Sequence, residues 1–500
     1  MGLVQVVDVG TTNVKSGIVN KEGDLLARET GKLEINRPEP GAAEHDPDEL
    51  FKLFRDVIVK TNEGFGSRID SLVLTGYLFG FLPLDENKEP LTGVITLLDE
   101  RPKTIMSKVE GQYPLKELYR RTGCPPLFIY SFARILWLKE KKPDIYRRTR
   151  YFGDLKSLLI YRLTDEFATE PSTASATQIY NIHKGEWDEK ILDWINLEKE
   201  SFPAILTESE KLLFRDNIGN SLGLAEGARL LPGVYDGGAM IFGMGGYEGD
   251  EVICNLGTTA MLRKSSPEPV LDKLTERRLQ TYKLSSKNWV IGGSLNNAGI
   301  TLRWLKNNFA PNLSYDKLVK AATEVEPGSD NLVFLPFLTG ERDPRMSNLS
   351  SGVFFGLKEY HSISHLTRAV MEGVVFALAL ILKAMEERNI DTNMIAIGGS
   401  GSKGTLWPQI VADVLEIPVR KSLTPDATLI GGAMLAYQKD GTYPSVQEAS
   451  HSMVQKGKSF YPRERYLDRY RKLRNFFEKL VESAKPLFEE HAKLVNRSID

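Results

Sequence analysis

Cysteine is nearly missing from this sequence, with two residues, Cys124 and Cys254, among 500. Two thiols so far apart build neither a disulfide framework nor a paired-thiolate metal site, and a reduced, cytoplasmic setting is expected. An excess of charge of either sign is missing too, since 64 Lys+Arg stand against 66 Asp+Glu and leave a net charge of −2. A nucleic-acid binder needs a basic excess to displace phosphate counterions, so no nucleic-acid partner is expected. Long hydrophobic runs are lacking. The longest, Val374–Leu382, is less than half of the roughly 20 residues that span a bilayer. Met1–Val9 has no basic start and carries Gln5 and Asp8 where a signal peptide is apolar, so neither secretion nor membrane association is expected. Histidine is scarce, and none of the six lies in the glycine-rich segments described below, which turns the search for chemistry toward carboxylates.

The composition that remains is that of a soluble globular chain, 41% hydrophobic and 26% charged, long enough for at least two domains. Leu3–Thr12 and Val14–Val19 alternate β-branched and polar residues around Gly10, which predicts a hairpin with a tight glycine turn. The same design recurs at Glu251–Leu262 around Gly257, about half the chain further on. Two related halves are expected, 1–245 and 246–500, with the boundary near Met244–Gly249. Strand-like Leu72–Thr75 and Val94–Thr96 alternate with amphipathic stretches at Asp46–Lys60, Phe132–Lys141 and Lys190–Trp194, which favours an α/β class. A buried helix is expected over Ser364–Arg388 and a peripheral one over Arg463–Leu494.

Asp8-Val-Gly-Thr-Thr-Asn-Val-Lys15 offers turn N–H groups, two hydroxyls and an ammonium, a set that suits phosphate oxygens. Asp8 at the end of a buried strand can hold Mg2+ through water. Gly257-Thr258-Thr259 repeats the design, so two hairpins can clamp a polyphosphate from both sides. A third cluster, Gly398-Gly-Ser-Gly-Ser402, follows an apolar strand and leads into a helix over Trp407–Leu415; it is not a dinucleotide fingerprint. Asp236 sits in a turn flanked by glycines, Leu231-Pro-Gly-Val-Tyr-Asp-Gly-Gly238, where a carboxylate can accept the proton of a hydroxyl that attacks a phosphoryl group.

Taken together, these segments resemble the FGGY carbohydrate kinases, two-domain relatives of actin, hexokinase and the Hsp70 ATPase domain. The resemblance extends through Pro38–Pro47, Leu98-Asp-Glu-Arg101, Arg134–Trp137, Leu335–Arg342, Arg368–Gly373 and Gly431-Gly-Ala433, nearly the whole chain. It implies two RNase H-like α/β domains with the active site in the cleft between them, and transfer of the ATP γ-phosphoryl group, with Mg2+, to a small sugar, sugar acid or polyol. It implies Asp236 as general base and Asp8 as the carboxylate associated with Mg2+. Thr11, Thr12 and Lys15 become the first phosphate loop, and Gly257 and Thr258 the second. Gly299, Arg303, Gly399, Ser400, Gly401 and Lys403 fall where relatives hold the nucleotide, and Tyr77, Phe79, Asp99, Arg101 and Asn296 where they hold the acceptor. A homodimer is compatible with the family.

The acceptor segment departs from the relatives. Xylulokinases resemble Gly-Gln-Met-His-Gly where this chain reads Gly76-Tyr-Leu-Phe-Gly80, so Phe79 replaces the sugar-binding His; the Arg-Glu pair of glycerol kinases is absent. Gly292–Ile300, Thr173–Thr177 and Gly340-Glu-Arg342 are most similar to the gluconate-kinase branch, with a pentulose kinase as the alternative. Tyr77, Phe79 and Phe81 are read as three aromatics on one strand, either a ring-stacking wall or plain core. An actin-like nucleotide-switch scaffold is the alternative of another class.

Overall fold

The computed structural model describes residues 2–247, 251–341 and 350–496. In the first half, β1 (Leu3–Val9), β2 (Asn13–Val19), β3 (Leu25–Lys32), β4 (Ile69–Gly76), β5 (Leu212–Leu213) and β6 (Arg229–Leu231) form one sheet in the order β5-β6-β4-β1-β2-β3. β1, β2 and β3 are antiparallel neighbours, while β4 and β6 continue the sheet parallel to β1. β1 is buried along nearly its whole length because Val4, Val6, Val7 and Val9 are covered on both faces. Four helices matter for the site: α1 (Pro47–Thr61), capped by Asp46, α2 (Leu155–Thr164), α3 (Pro171–Ser175) and α4 (Asp236–Gly243).

The second half repeats the plan. β7 (Glu251–Leu256), β8 (Ala260–Ser266), β9 (Gln280–Lys283), β10 (Trp289–Leu295), β11 (Met394–Gly398), β12 (Val419–Ser422) and β13 (Lys456–Phe460) assemble as β9-β10-β8-β7-β11-β12-β13. Three antiparallel strands are again followed by two parallel ones and an antiparallel edge. The added strand β9 meets the first half. Its Thr281 N–H donates to the Gly123 carbonyl (3.0 Å), its Lys283 N–H to Ser175 Oγ (3.1 Å), and its Tyr282 hydroxyl pairs with that of Tyr130 (2.8 Å). Helices α5 (Gly299–Phe309), α6 (Ile363–Glu386), α7 (Leu406–Leu415), α8 (Ala427–Lys439) and α9 (Glu464–Asn496) complete the half. As the apolar periodicity predicts, α6 is buried and α9 sends a stripe through Tyr470, Phe477 and Val481 into the core.

The expected hairpins, the helices and the glycine-cluster strand β11 all form. Three readings change. Asp236 opens helix α4 rather than sitting in a turn. The chain leaves β4 at Gly76, so Tyr77, Phe79 and Phe81 do not share a strand. Helix α8, although it belongs to the second half of the chain, packs on β1, β4 and α4 of the first. The expected boundary falls between α4 and β7, and its residues 248 and 249 lie outside the described residues.

Candidate active site

Asp8 is the penultimate residue of β1 and stands in register with Lys15 of β2, whose Nζ lies 3.5 Å from its carboxylate. Thr75 Oγ1, next door on β4, donates to Asp8 Oδ1 at 3.2 Å. Between these strands the Gly10 N–H donates to the Asn13 carbonyl at 2.9 Å, which closes the turn and leaves the Thr12 side chain exposed. Lys15 also lies 3.6 Å from Asp426, which directly precedes α8 and pairs with Arg28. The ammonium that the sequence assigns to phosphate is thus held between two carboxylates, one from each half.

Asp236 comes to this place because β6 runs parallel to β4 and the following Gly76–Tyr235 bridge fixes the segment beside Asp8. The start of α4 is anchored from below. The Tyr235 N–H donates to Ser172 Oγ (2.9 Å), Ser172 donates to Glu170 (2.9 Å), and Glu170 is paired with Lys156 at 2.8 Å, the last two fully buried. Burial, and then the Asp8 charge, push the Asp236 carboxyl up to about 7. Burial likewise raises Asp8, which Lys15 opposes and Asp426 reinforces. Two desolvated carboxylates with one shared ammonium leave negative charge uncompensated. That is a setting for a hard cation, and Mg2+ is usually held by one or two carboxylates together with substrate phosphates and water. Among the described residues no cluster of three or more His, Cys, Asp or Glu could hold a metal unaided.

The second hairpin forms the other group. The Gly299 N–H donates to the Gly257 carbonyl at 2.9 Å, and Ala298 and Ile300 N–H donate to the Thr258 carbonyl at 3.2 Å, so the loop rests on the N-terminus of α5. Arg303 is exposed one turn along that helix. Gly399 takes φ 86° and packs so tightly on the hairpin that a Cβ there would lie 2.6 Å from Asn255 Oδ1; Ser400 is exposed beside it, Gly401 rests on Leu256, and Lys403 is exposed. Asn296 N–H donates to Glu341 (2.8 Å), and Asn297 bridges Gly340 and Thr339. Arg342 lies outside the described residues.

The remaining residues that the family resemblance places at the acceptor are distributed unevenly. Asp99 is fully buried and accepts from the Ala43 N–H (3.0 Å) and from Arg101, whose guanidinium also holds Glu39 and Glu44 and stacks over Trp137 at 4.8 Å. The carboxylate of Asp99 and the guanidinium of Arg101 are thus engaged with each other and with neighbouring protein groups. Phe81 is core, stacked on Phe152. Phe79 is half-buried with φ 69°, its carbonyl held by the buried Arg134, its ring edge-on to Tyr130 at 5.6 Å. Tyr77 is buried against His45. Sequence reasoning missed His45, Thr75, Lys156, Glu170, Ser172 and Asp426. Only His45 had a signal, its place inside the matching Pro38–Pro47 segment; the others are brought in from distant segments by the fold.

Residues 3–243 match the N-terminal domain of the FGGY family of carbohydrate kinases, and residues 252–438 match its C-terminal domain. The chain is 28% identical over 459 residues to a gluconokinase of Bacillus subtilis, covering 89% of both chains. To a xylulose kinase of the same organism it is 25% identical over 489 residues, 96% of this chain and 97% of that one. Among solved structures, a ligand-bound xylulose kinase from Lactobacillus acidophilus superposes with a TM-score of 0.94 at 24% identity, over 98% of this chain and 100% of that one. A gluconate kinase from that organism superposes with a TM-score of 0.92 at 24% identity over the same shares. Cys124 and Cys254 are free and buried, and among the described residues no helix is long and apolar enough to cross a membrane.

Proposed function

From the premise that this chain belongs to the FGGY family of carbohydrate kinases, we propose that it phosphorylates a hydroxyl of a sugar acid of the gluconate type, with ATP and Mg2+, in the cytoplasm. The enzyme is a carbohydrate kinase with two α/β domains of the actin-like ATPase fold. What supports the acceptor reading is the higher sequence identity to a gluconokinase, 28% against 25% for a xylulose kinase, and the Gly292–Ile300 segment, whose Asn296 and Asn297 are tied to Gly340 and Glu341. The relatives named xylulose kinase keep a ketopentose as the second reading.

The observation that carries the mechanism is Asp236, a carboxyl raised to about 7 at the start of α4 beside Asp8. A base with a pKa near the working pH combines a useful ionised fraction with real proton affinity. We assign Asp236 to accept the acceptor's hydroxyl proton as its oxygen attacks the γ-phosphorus. Asp8, with Asp236 nearby, would hold Mg2+, which neutralises charge on the phosphates when bound. The N–H groups around Gly10–Thr12 and Gly257–Thr258 orient those phosphates, while Gly299, Arg303 and the Gly399–Lys403 turn receive the nucleoside. This is positioning and electrostatics, which supply most of the rate in phosphoryl transfer.

The test is ADP release coupled to product formation across gluconate, xylulose and glycerol. Turnover with gluconate is expected, and Asp236→Ala is expected to lower kcat at least about a thousandfold while nucleotide affinity stays within about twofold. Transfer retained by Asp236→Ala removes the base assignment; turnover with xylulose alone replaces the acceptor.

A further inference from the structure

His45 occupies a two-residue strand, Glu44–His45, paired with Val94–Ile95, and it is fully buried. Its Nε2 lies 3.0 Å from the carbonyl of Thr11 in the first hairpin turn, and its Nδ1 lies 2.8 Å from the hydroxyl of Tyr77. A carbonyl only accepts, so Nε2 carries the ring proton and Nδ1 accepts from Tyr77. Both polar atoms of the ring are therefore used, one on each of two segments assigned to different substrates. Glu44, the preceding residue, points its carboxylate at Arg101, so this short strand also touches the ion cluster beside the acceptor wall. Tyr77 in turn donates its backbone N–H to the Val9 carbonyl at 2.9 Å, next to Asp8.

We propose that His45 is a positioning residue for phosphoryl transfer: its imidazole fixes the Thr11 carbonyl, and with it the direction of the first phosphate loop's N–H groups, relative to Tyr77 at the acceptor wall. The proposal rests on the reading of Gly10–Thr12 as a phosphate loop and of Tyr77 as part of that wall. Misplacement of a reacting group by about 1 Å can cost about a hundredfold in rate. Backbone bonds from Gly10 to the Asn13 carbonyl and from Leu33 to the Thr12 carbonyl hold the ends of the turn, and the Thr11 peptide between them can rotate once its carbonyl loses the imidazole. The loss falls on kcat more than on nucleotide affinity, because the loop still offers the same donors in the wrong direction.

The experiment compares His45→Gln with His45→Met in the full chain. The two side chains fill similar volume, but only the amide can donate to Thr11 and accept from Tyr77. His45→Gln is expected to keep kcat within about threefold of the parent, and His45→Met to lose tenfold or more with KM for ATP within twofold. Tyr77→Phe is expected to lower kcat in the parent and to have no further effect in the His45→Met background. Rates are read both as transfer to D-gluconate or D-xylulose and as hydrolysis of Mg-ATP without acceptor. A parent that transfers to neither probe overturns the acceptor reading alone, since the hydrolysis series still reports the loop. Equal rates for the Gln and Met variants, or a Tyr77→Phe effect undiminished in the Met background, overturn the positioning role. Should the Met variant not fold, an unaltered kcat in Tyr77→Phe overturns it and a lowered one supports it.

Discussion

Asp236 titrates in the folded chain near 7, against an ordinary value of 3.8, because its carboxyl is largely desolvated and faces Asp8. The folded state thus keeps a proton that the unfolded carboxyl releases near pH 4. Stability is present below that point and is lost as pH rises through about 7. Asparagine carries no charge at any of these values. Asp236→Asn is therefore expected to be more stable than the parent at pH 8, by about 1–2 kcal/mol after allowing for water at a half-buried group, and equal to it near pH 4. Thermal melts at both pH values decide this, and an Asn variant that gains nothing between pH 4 and pH 8 removes the claim. An inactive but sturdier variant is what a site that stores unfavourable charge for chemistry leads one to expect.

The helix pair α4 and α8 carries the base to its place by a backbone-to-backbone crossing. A Cβ on Gly431 would lie 1.8 Å from the Ala239 carbonyl oxygen, and one on Gly243 would lie 1.9 Å from that of Ala427. Gly431→Ala is expected to destabilise by about 3 kcal/mol or more and to lower kcat, since α4 must shift. Gly111→Ala, in a helix where a Cβ meets nothing within 4 Å, is expected to be neutral or slightly stabilising. Equal urea midpoints for the two variants would contradict the crossing. The same glycines explain what the sequence conceals. β1, β2, β7 and β8 are legible because their β-branched alternation and glycine turns are local signals, and α6 because its apolar run is too long for a strand. Helix α4 is not legible: Gly237, Gly238 and Gly243 argue against a helix, and only packing against α8 overrides that propensity. Asp8, Asp236 and the two hairpin glycines could be named from motifs. His45, Lys156, Glu170 and Ser172 could not be assigned roles, because each acts through partners that only the fold brings near.

At the scale of the whole molecule, the two sheets are copies of one plan but are not independent bodies. Helix α8 lays Leu429, Ile430, Ala433 and Met434 against Val4, Val6 and Val73 of the first sheet. Burial of each large side chain is worth about 1.5–3 kcal/mol, so a first half without α8 loses a substantial part of its core. Residues 1–245 produced alone are expected to bind a hydrophobic dye and to melt without a cooperative transition, whereas the full chain melts sharply. A sharply melting, dye-silent fragment contradicts this. The far position of α8 in the chain also has a consequence in time. At roughly 5–20 residues per second, synthesis passes from the end of β6 to the end of α8 in roughly 10–40 s. During that interval the valine face of β1 is already made while its cover is still being translated, so the nascent first sheet is the stage at which this protein most needs a chaperone.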